Sequence, residues 1–136
     1  MVTPYQDREI ADPEPNIGDE PYFEAAGEGR LLIKRCRACG LPHHFPRAAC
    51  PNCFSADVEW ETASGSGEIH SFSVLRRGTS MPYCIAYVEL EEGPLMMTNI
   101  VDCDLDEIRI GQRVRVVFKP SKSGTPVPMF APAENA

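Results

Sequence analysis

Residues 36–54 read Cys36-Arg37-Ala38-Cys39-Gly40-Leu41-Pro42-His43-His44-Phe45-Pro46-Arg47-Ala48-Ala49-Cys50-Pro51-Asn52-Cys53-Phe54. They contain two CxxC knuckles separated by ten residues, a spacing that lets one chain close a tetrahedral site of four thiolates. Cys36, Cys39, Cys50 and Cys53 are therefore the predicted ligands of one structural Zn²⁺. Four protein thiolates leave no open position for a water nucleophile. Iron in a rubredoxin-like site is the alternative for the same ligand set. Gly40 follows its knuckle where the backbone often needs positive φ, which glycine adopts at little cost. Phe54 occupies the matching place after the second knuckle, so that turn is expected to be strained or different. His43 and His44 are expected to face solvent or to contact the ligands from outside, since the thiolates already saturate the metal.

The charge around this stretch is distinctive. Residues 29–56 contain Arg30, Lys34, Arg35, Arg37 and Arg47 and no acid, whereas residues 1–28 contain eight acids and one arginine. The whole chain is at -7. A local basic patch in an acidic molecule suits a small anionic ligand better than a nucleic-acid backbone, which would meet the surrounding negative field. Arg35, Arg37 and Arg47 are the candidate phosphate contacts, because guanidinium forks match phosphate oxygens. A solvated basic face is the alternative reading for these three, and Arg76 and Arg77 carry the same ambiguity.

Before the knuckles, the first 18 residues are acidic and proline-bearing without a hydrophobic period. They are expected to form an extended arm that orders only against another surface, a partner being the candidate. Asp19-Glu20-Pro21 predicts a helix start with an Asp cap and a proline near the beginning. The helix should span about two turns before Gly27 and Gly29, packing Tyr22 and Phe23 on the metal module or the barrel. Leu31–Lys34 reads as a strand entering the first knuckle.

After Ser64 the pattern changes to short apolar strands separated by turns. Expected strands are Glu68–Leu75, Tyr83–Leu90, Leu95–Val101 and Arg113–Lys119, with a last extended piece near Val127–Ala131. In the fourth, Val114, Val116 and Phe118 lie on one face and Arg113, Arg115 and Lys119 on the other. Five strands in about 70 residues, without a convincing amphipathic helix, predict a small barrel of the OB type. The fold class is thus mainly β: residues 1–30 an acidic arm and short helix, 31–57 a rubredoxin-like zinc ribbon, and 58–136 an OB-fold barrel with a C-terminal tail.

Other chemistry is poorly supported. There is no Gly-rich phosphate loop, no GxSxG, no HExxH and no dense carboxylate pair at helical spacing. Cys84 and Cys103 stand alone in apolar or strand-like surroundings, and a catalytic thiol needs a positioned base. No stretch approaches a membrane span and the first residues show neither a basic n-region nor an apolar h-region, so the expected compartment is the cytoplasm, with reduced thiols.

The segments GRLLIKRCRACG, FPRAACPNC, IAYVELEEGPLMMTNIV and IRIGQRVRVVF, in that order, resemble the zinc-ribbon/OB-fold acyl-CoA-associated family first catalogued as a domain of unknown function. The resemblance covers roughly Pro21 to Pro132. Phe54 in place of the usual glycine, and the single proline in Phe45-Pro46-Arg47, depart from the family pattern at the knuckle. The resemblance implies a non-catalytic subunit of a thiolase-superfamily enzyme acting on acyl-CoA, with C–C bond cleavage or formation carried out by the partner. It implies a hetero-oligomer around a partner dimer, with the CoA thioester a ligand shared between subunits and this chain supplying docking surface and part of the CoA channel. An aldolase or acyltransferase is the alternative partner. A nucleic-acid-binding OB module and an electron carrier remain the readings from other classes, and neither nucleic acid nor membrane is the expected partner.

Overall fold

The computed structural model describes residues 2–79 and 81–133, so the last three residues of the expected C-terminal tail lie outside the described residues. Helix α1 (Glu20–Gly27) carries Pro21 in its first turn and ends before Glu28. Asp19 occupies the cap position, but its carboxylate makes no bond to the helix; Oδ2 accepts instead from the Asn16 N–H at 2.9 Å, closing the turn that leads in. The helix buries Tyr22, Ala25 and Ala26 and packs on both the ribbon and the barrel.

The ribbon is a three-stranded antiparallel sheet in the order β2-β1-β3, formed by β1 (Leu32–Cys36), β2 (Pro42–His43) and β3 (Val58–Thr62). Strand β3 is absent from the sequence-based expectation. It pairs with β1 along its whole length, Leu32 opposite Thr62 and Cys36 opposite Val58. Strand β3 thus leads from the ribbon sheet into the barrel, whose first strand begins at Ser66.

The barrel consists of β4 (Ser66–Leu75), β5 (Tyr83–Leu90), β6 (Leu95–Ile100), β7 (Arg113–Pro120) and β8 (Pro126–Pro132). It closes in the order β4-β5-β6-β8-β7, with β7 returning to β4 and β6 meeting β8 in parallel. All five expected strands are present with ends shifted by at most two residues. At Gly67, β4 lies tight against β5: a Cβ there would stand 2.6 Å from Val88 Cγ1 and 2.7 Å from the Glu89 carbonyl oxygen, which leaves room for glycine alone. The interior is filled by Ile69, Val88, Leu90, Ile100, Val114 and Phe130, all at most 2% exposed. Tyr22, Leu31 and Ile33 join the same cluster, so helix, ribbon and barrel share one core.

The N-terminal arm is ordered against another surface, as expected, but that surface belongs to the chain itself rather than to a partner. It lies on its own barrel. Pro4 bridges to Asp104, the Tyr5 N–H donates to the Cys103 carbonyl at 2.8 Å, and the Lys122 N–H donates to Ile10 O at 2.8 Å. Asp12 Oδ1 accepts from the Ser121 hydroxyl at 2.6 Å and from the Ser123 amide at 2.9 Å, tying the arm to the β7–β8 turn. Two of the arm's acids thus act as local acceptors, Asp12 here and Asp7 for Lys119 Nζ at 3.1 Å.

Candidate metal centre and its surroundings

Strand β1 delivers Cys36 at its end, and the chain returns so that the Sγ atoms of Cys36, Cys39, Cys50 and Cys53 lie within 4.8 Å of one another. Cys36 Sγ is 3.6 Å from Cys53 Sγ and Cys39 Sγ is 3.7 Å from Cys50 Sγ. These separations are far too long for disulfides, whose S–S bond is about 2.05 Å. They match the edge of a tetrahedron of thiolates at a Zn–S distance of about 2.3 Å, which is about 3.8 Å. The donor set therefore fits Zn²⁺, which would supply a cross-link between the two knuckles and no open coordination position.

The two knuckles close alike. Gly40 N–H donates to Cys36 O at 2.9 Å and Phe54 N–H to Cys50 O at 2.8 Å. Backbone amides also point at sulfur: Cys39 N–H at Cys36 Sγ, 3.4 Å, and Asn52 N–H at Cys50 Sγ, 3.3 Å. The amide of Cys39 draws the Cys36 thiol below its ordinary pKa, as a donor aimed at a thiolate does. Gly40 has φ 80° and Phe54 φ 65°. The second knuckle is thus the same turn as the first, with an aromatic residue held in the left-handed region rather than a different geometry. Its side chain is 82% exposed.

Both histidines lie outside the four-thiol cluster, as expected, but neither simply faces solvent. His43 is buried on β2, and its Nε2 accepts from the Arg47 amide at 3.3 Å. His44 packs against Tyr22 and Phe45. His44 thereby contributes to the seam between ribbon and helix, while His43 stays within the ribbon, and adjacent histidines give no sequence signal for either role.

The three candidate phosphate contacts separate. Arg35 is engaged on both sides, with Nε and Nη2 on the Glu61 carboxylate at 2.8 and 3.1 Å and Nη1 on Gly40 O at 2.9 Å. That fork holds the Glu61 carboxyl below the usual carboxylate range. Arg37 meets Asp57 at 2.8 Å and Glu59 at 3.5 Å. The acids come from β3 and the turn before it, so the patch that looks acid-free along the chain is partly neutralised in space. Arg47 forms no ion pair among the described residues. Its backbone is fixed, with the carbonyl accepting from Lys34 Nζ at 3.2 Å and the amide donating to His43. Arg76 pairs with Asp106 at 2.8 Å.

Outside the cluster, burial pushes the Cys84 and Cys103 thiols up to about 11, so neither is a thiolate at neutral pH. Among the described residues no helix is long and apolar enough to cross a membrane.

Residues 23–59 match the family described as ChsH2, rubredoxin-like zinc ribbon domain, and residues 60–119 match ChsH2, C-terminal OB-fold domain. The "Probable enoyl-CoA hydratase alpha subunit" of Thermomonospora curvata is 38% identical over 116 residues, 82% of this chain and 36% of the relative. The chain thus spans about a third of that protein. The "Benzoylsuccinyl-CoA thiolase subunit BbsA" of Geobacter metallireducens is 30% identical over 109 residues, covering 78% of this chain and 68% of the relative. Among solved structures, the "Ltp2-ChsH2(DUF35) aldolase" superimposes with a TM-score of 0.77 at 36% identity, over 90% of this chain and 99% of that one. With both halves matched in order and the four cysteines gathered as the ribbon requires, this chain belongs to the DUF35/ChsH2 family of zinc-ribbon and OB-fold proteins.

Proposed function

We propose that the chain is a non-catalytic, zinc-binding subunit of a thiolase-type complex that makes or cleaves a C–C bond beside an acyl-CoA thioester. One observation carries the reading: two modules with one shared core surround a closed four-thiol site, while burial raises both remaining thiols to about 11, so a nucleophilic cysteine would belong to the partner. The names of its relatives, a thiolase subunit and the DUF35 component of an aldolase, point the same way. The partner is a thiolase-superfamily catalytic subunit, an aldolase or acyltransferase being the alternative within that class. This chain contributes docking surface and part of the channel for the CoA arm. Arg47, the uncommitted guanidinium beside the ribbon, takes the CoA phosphate contact, with Arg35 and Arg37 shaping the patch around it. The complex works in the cytoplasm, where the four thiols stay reduced.

The nucleic-acid reading loses ground on charge. An OB-fold binds single strands with a positive groove and stacked aromatics; here the rim of the β4–β5 sheet carries Glu68 and Glu89 side by side.

The test is co-expression of the tagged chain with each thiolase-superfamily subunit encoded in its source genome, followed by sizing and an acyl-CoA cleavage assay. A stable hetero-oligomer, active only with both chains, is expected. A chain that stays monomeric, meets no such subunit and binds no CoA ester would sink the reading.

A further inference from the structure

Strands β5 and β6 alternate between the barrel interior and the outside. On β5, Cys84, Ala86, Val88 and Leu90 point inward and are buried. An antiparallel sheet with one face in water carries polar residues outside, yet the outward positions here are Tyr83, Ile85, Tyr87 and Glu89. Register sets Met97 opposite Tyr87 and Asn99 opposite Ile85, on that same outer face. Tyr87 is 44% exposed and Met97 60%.

Two hollows extend the face. Met97 lines a cavity of about 210 Å³ whose other walls include Tyr22, Phe23, Phe45 and Pro128, where helix, ribbon and barrel meet. On the other side, Arg8, Tyr83, Ile85 and Met97 border a hollow of about 270 Å³. The Arg8 guanidinium lies 4.1 Å from the Tyr83 ring centroid and reaches Asn99 Oδ1 at 3.5 Å. It has no carboxylate within ion-pair distance among the described residues. The face therefore runs from an uncommitted cation through tyrosine, isoleucine and methionine to an aromatic socket, with Glu89 on its far rim.

Tyrosine, methionine and arginine are the residues enriched at the centres of protein interfaces, where an anchor fills a pocket. The acidic rim repels a polyanion, and a net charge of -7 on each chain opposes pairing of two copies. We propose that this outer face of β5 and β6 docks the catalytic subunit, which seats an apolar side chain in the hollow at Phe45 and sets a carboxylate against Arg8. The assignment rests on the subunit role proposed above and adds the surface and its chemistry.

The experiment uses the full-length chain and the catalytic subunit recovered by co-expression. Affinities are measured for Tyr87→Glu, Met97→Arg, Arg8→Glu and, as an apolar control off the face, Ile110→Glu, with zinc content and circular dichroism checked for each. Loss of a central anchor should weaken binding at least about thirtyfold for Tyr87→Glu and Met97→Arg. Arg8→Glu should slow association, and the control should stay within about threefold of wild type. If Tyr87→Glu loses zinc, Met97→Arg, at a more exposed position, carries the test alone. Wild-type affinity in both folded variants overturns the surface and leaves the subunit role standing. A concentration-dependent homodimer abolished by Met97→Arg overturns the choice of occupant in favour of a second copy. If the wild-type chain binds no catalytic subunit, the subunit role falls and the docking proposal falls with it.

Discussion

The hydroxyl of Tyr22 stands 2.9 Å from Nε2 of His44, joining helix α1 to the segment between the two cysteine pairs. Burial pushes the Tyr22 phenol well above its ordinary pKa, and burial together with neighbouring His43 pulls His44 down to about 4. At neutral pH the phenol is therefore the donor and the neutral imidazole accepts at Nε2, which leaves its proton on Nδ1. The bond locks the metal module onto the helix that also packs on the barrel.

Stability should depend on pH through this histidine. Unfolded, His44 takes up a proton near 6.5, whereas folded it resists protonation until about 4. Between those values the unfolded chain holds more protons, so stability is complete above 6.5 and declines as pH falls toward 4. By pH 5.5 the loss should be about 1 kcal/mol. Denaturant melts of zinc-loaded protein at pH 7.5 and 5.5 measure it. His44→Gln should lose less over that interval, and equal slopes for the two proteins would contradict the assignment.

Cys36→Ser or Cys50→Ser should release zinc and unfold the ribbon. The metal's binding free energy, on the order of 10 kcal/mol, is largely folding free energy for a module with so little core of its own. Because Ile33 and Tyr22 belong to the common core, helix α1 should loosen too, and assembly with the partner should fail. Metal analysis and a pull-down check both, and full zinc occupancy with normal partner binding would refute the prediction.

Phe54 adopts φ 65° on the closing residue of the second knuckle, where the first knuckle has glycine. The left-handed region costs a side-chain-bearing residue about 1–2 kcal/mol, and an 82% exposed ring recovers little of that by packing. Phe54→Gly should therefore raise the ribbon's stability by about 1 kcal/mol, less the greater entropy of glycine in the unfolded chain. Chelator resistance and melting temperature would show it; a fall in both would mean that the ring packs in solution.

Arg47 and Arg35 should give opposite phenotypes. Arg47 has no ion pair to lose among the described residues, so Arg47→Ala should leave folding intact and raise KM for the CoA ester by about tenfold, as loss of one charge-assisted hydrogen bond would. Arg35→Ala breaks the fork on Glu61 and should loosen the ribbon with a smaller change in KM. Steady-state assays of the assembled complex separate the two, and an unchanged KM in Arg47→Ala would remove that residue from the CoA site.

The metal cluster and the barrel strands were legible because their signals are local. CxxC spacing fixes four ligands, and turns such as Glu92-Gly93-Pro94 punctuate runs of alternating burial. Strand β3 was not, since Val58-Glu59-Trp60-Glu61-Thr62 spends its acids on Arg35 and Arg37, partners more than 20 residues away that no window along the chain brings together. The same long-range pairing hid the neutralisation of the basic patch. The outward face of β5 was half visible: Tyr83 to Val88 is apolar or aromatic at successive positions, more than a strand with one wet face needs, but only register shows that Met97 extends it.

The arm offers the sharpest case of order that composition conceals. Asp12 gathers the Ser121 hydroxyl, the Ser123 amide and the Ser123 hydroxyl, the last at 2.8 Å, and the first of these contacts holds its carboxyl below the usual range. Ile10 O accepts from the Lys122 amide in the same turn. Asp12→Ala should free that turn and the adjoining arm together, while Tyr5 and Thr3 keep the first residues on the barrel through Cys103 and Leu105. Amide exchange at Lys122 should accelerate at least about tenfold, with that at Leu105 little changed. Equal acceleration at both would mean that the arm lifts as one piece, and none at Lys122 would mean that the Ile10 carbonyl alone suffices to hold it.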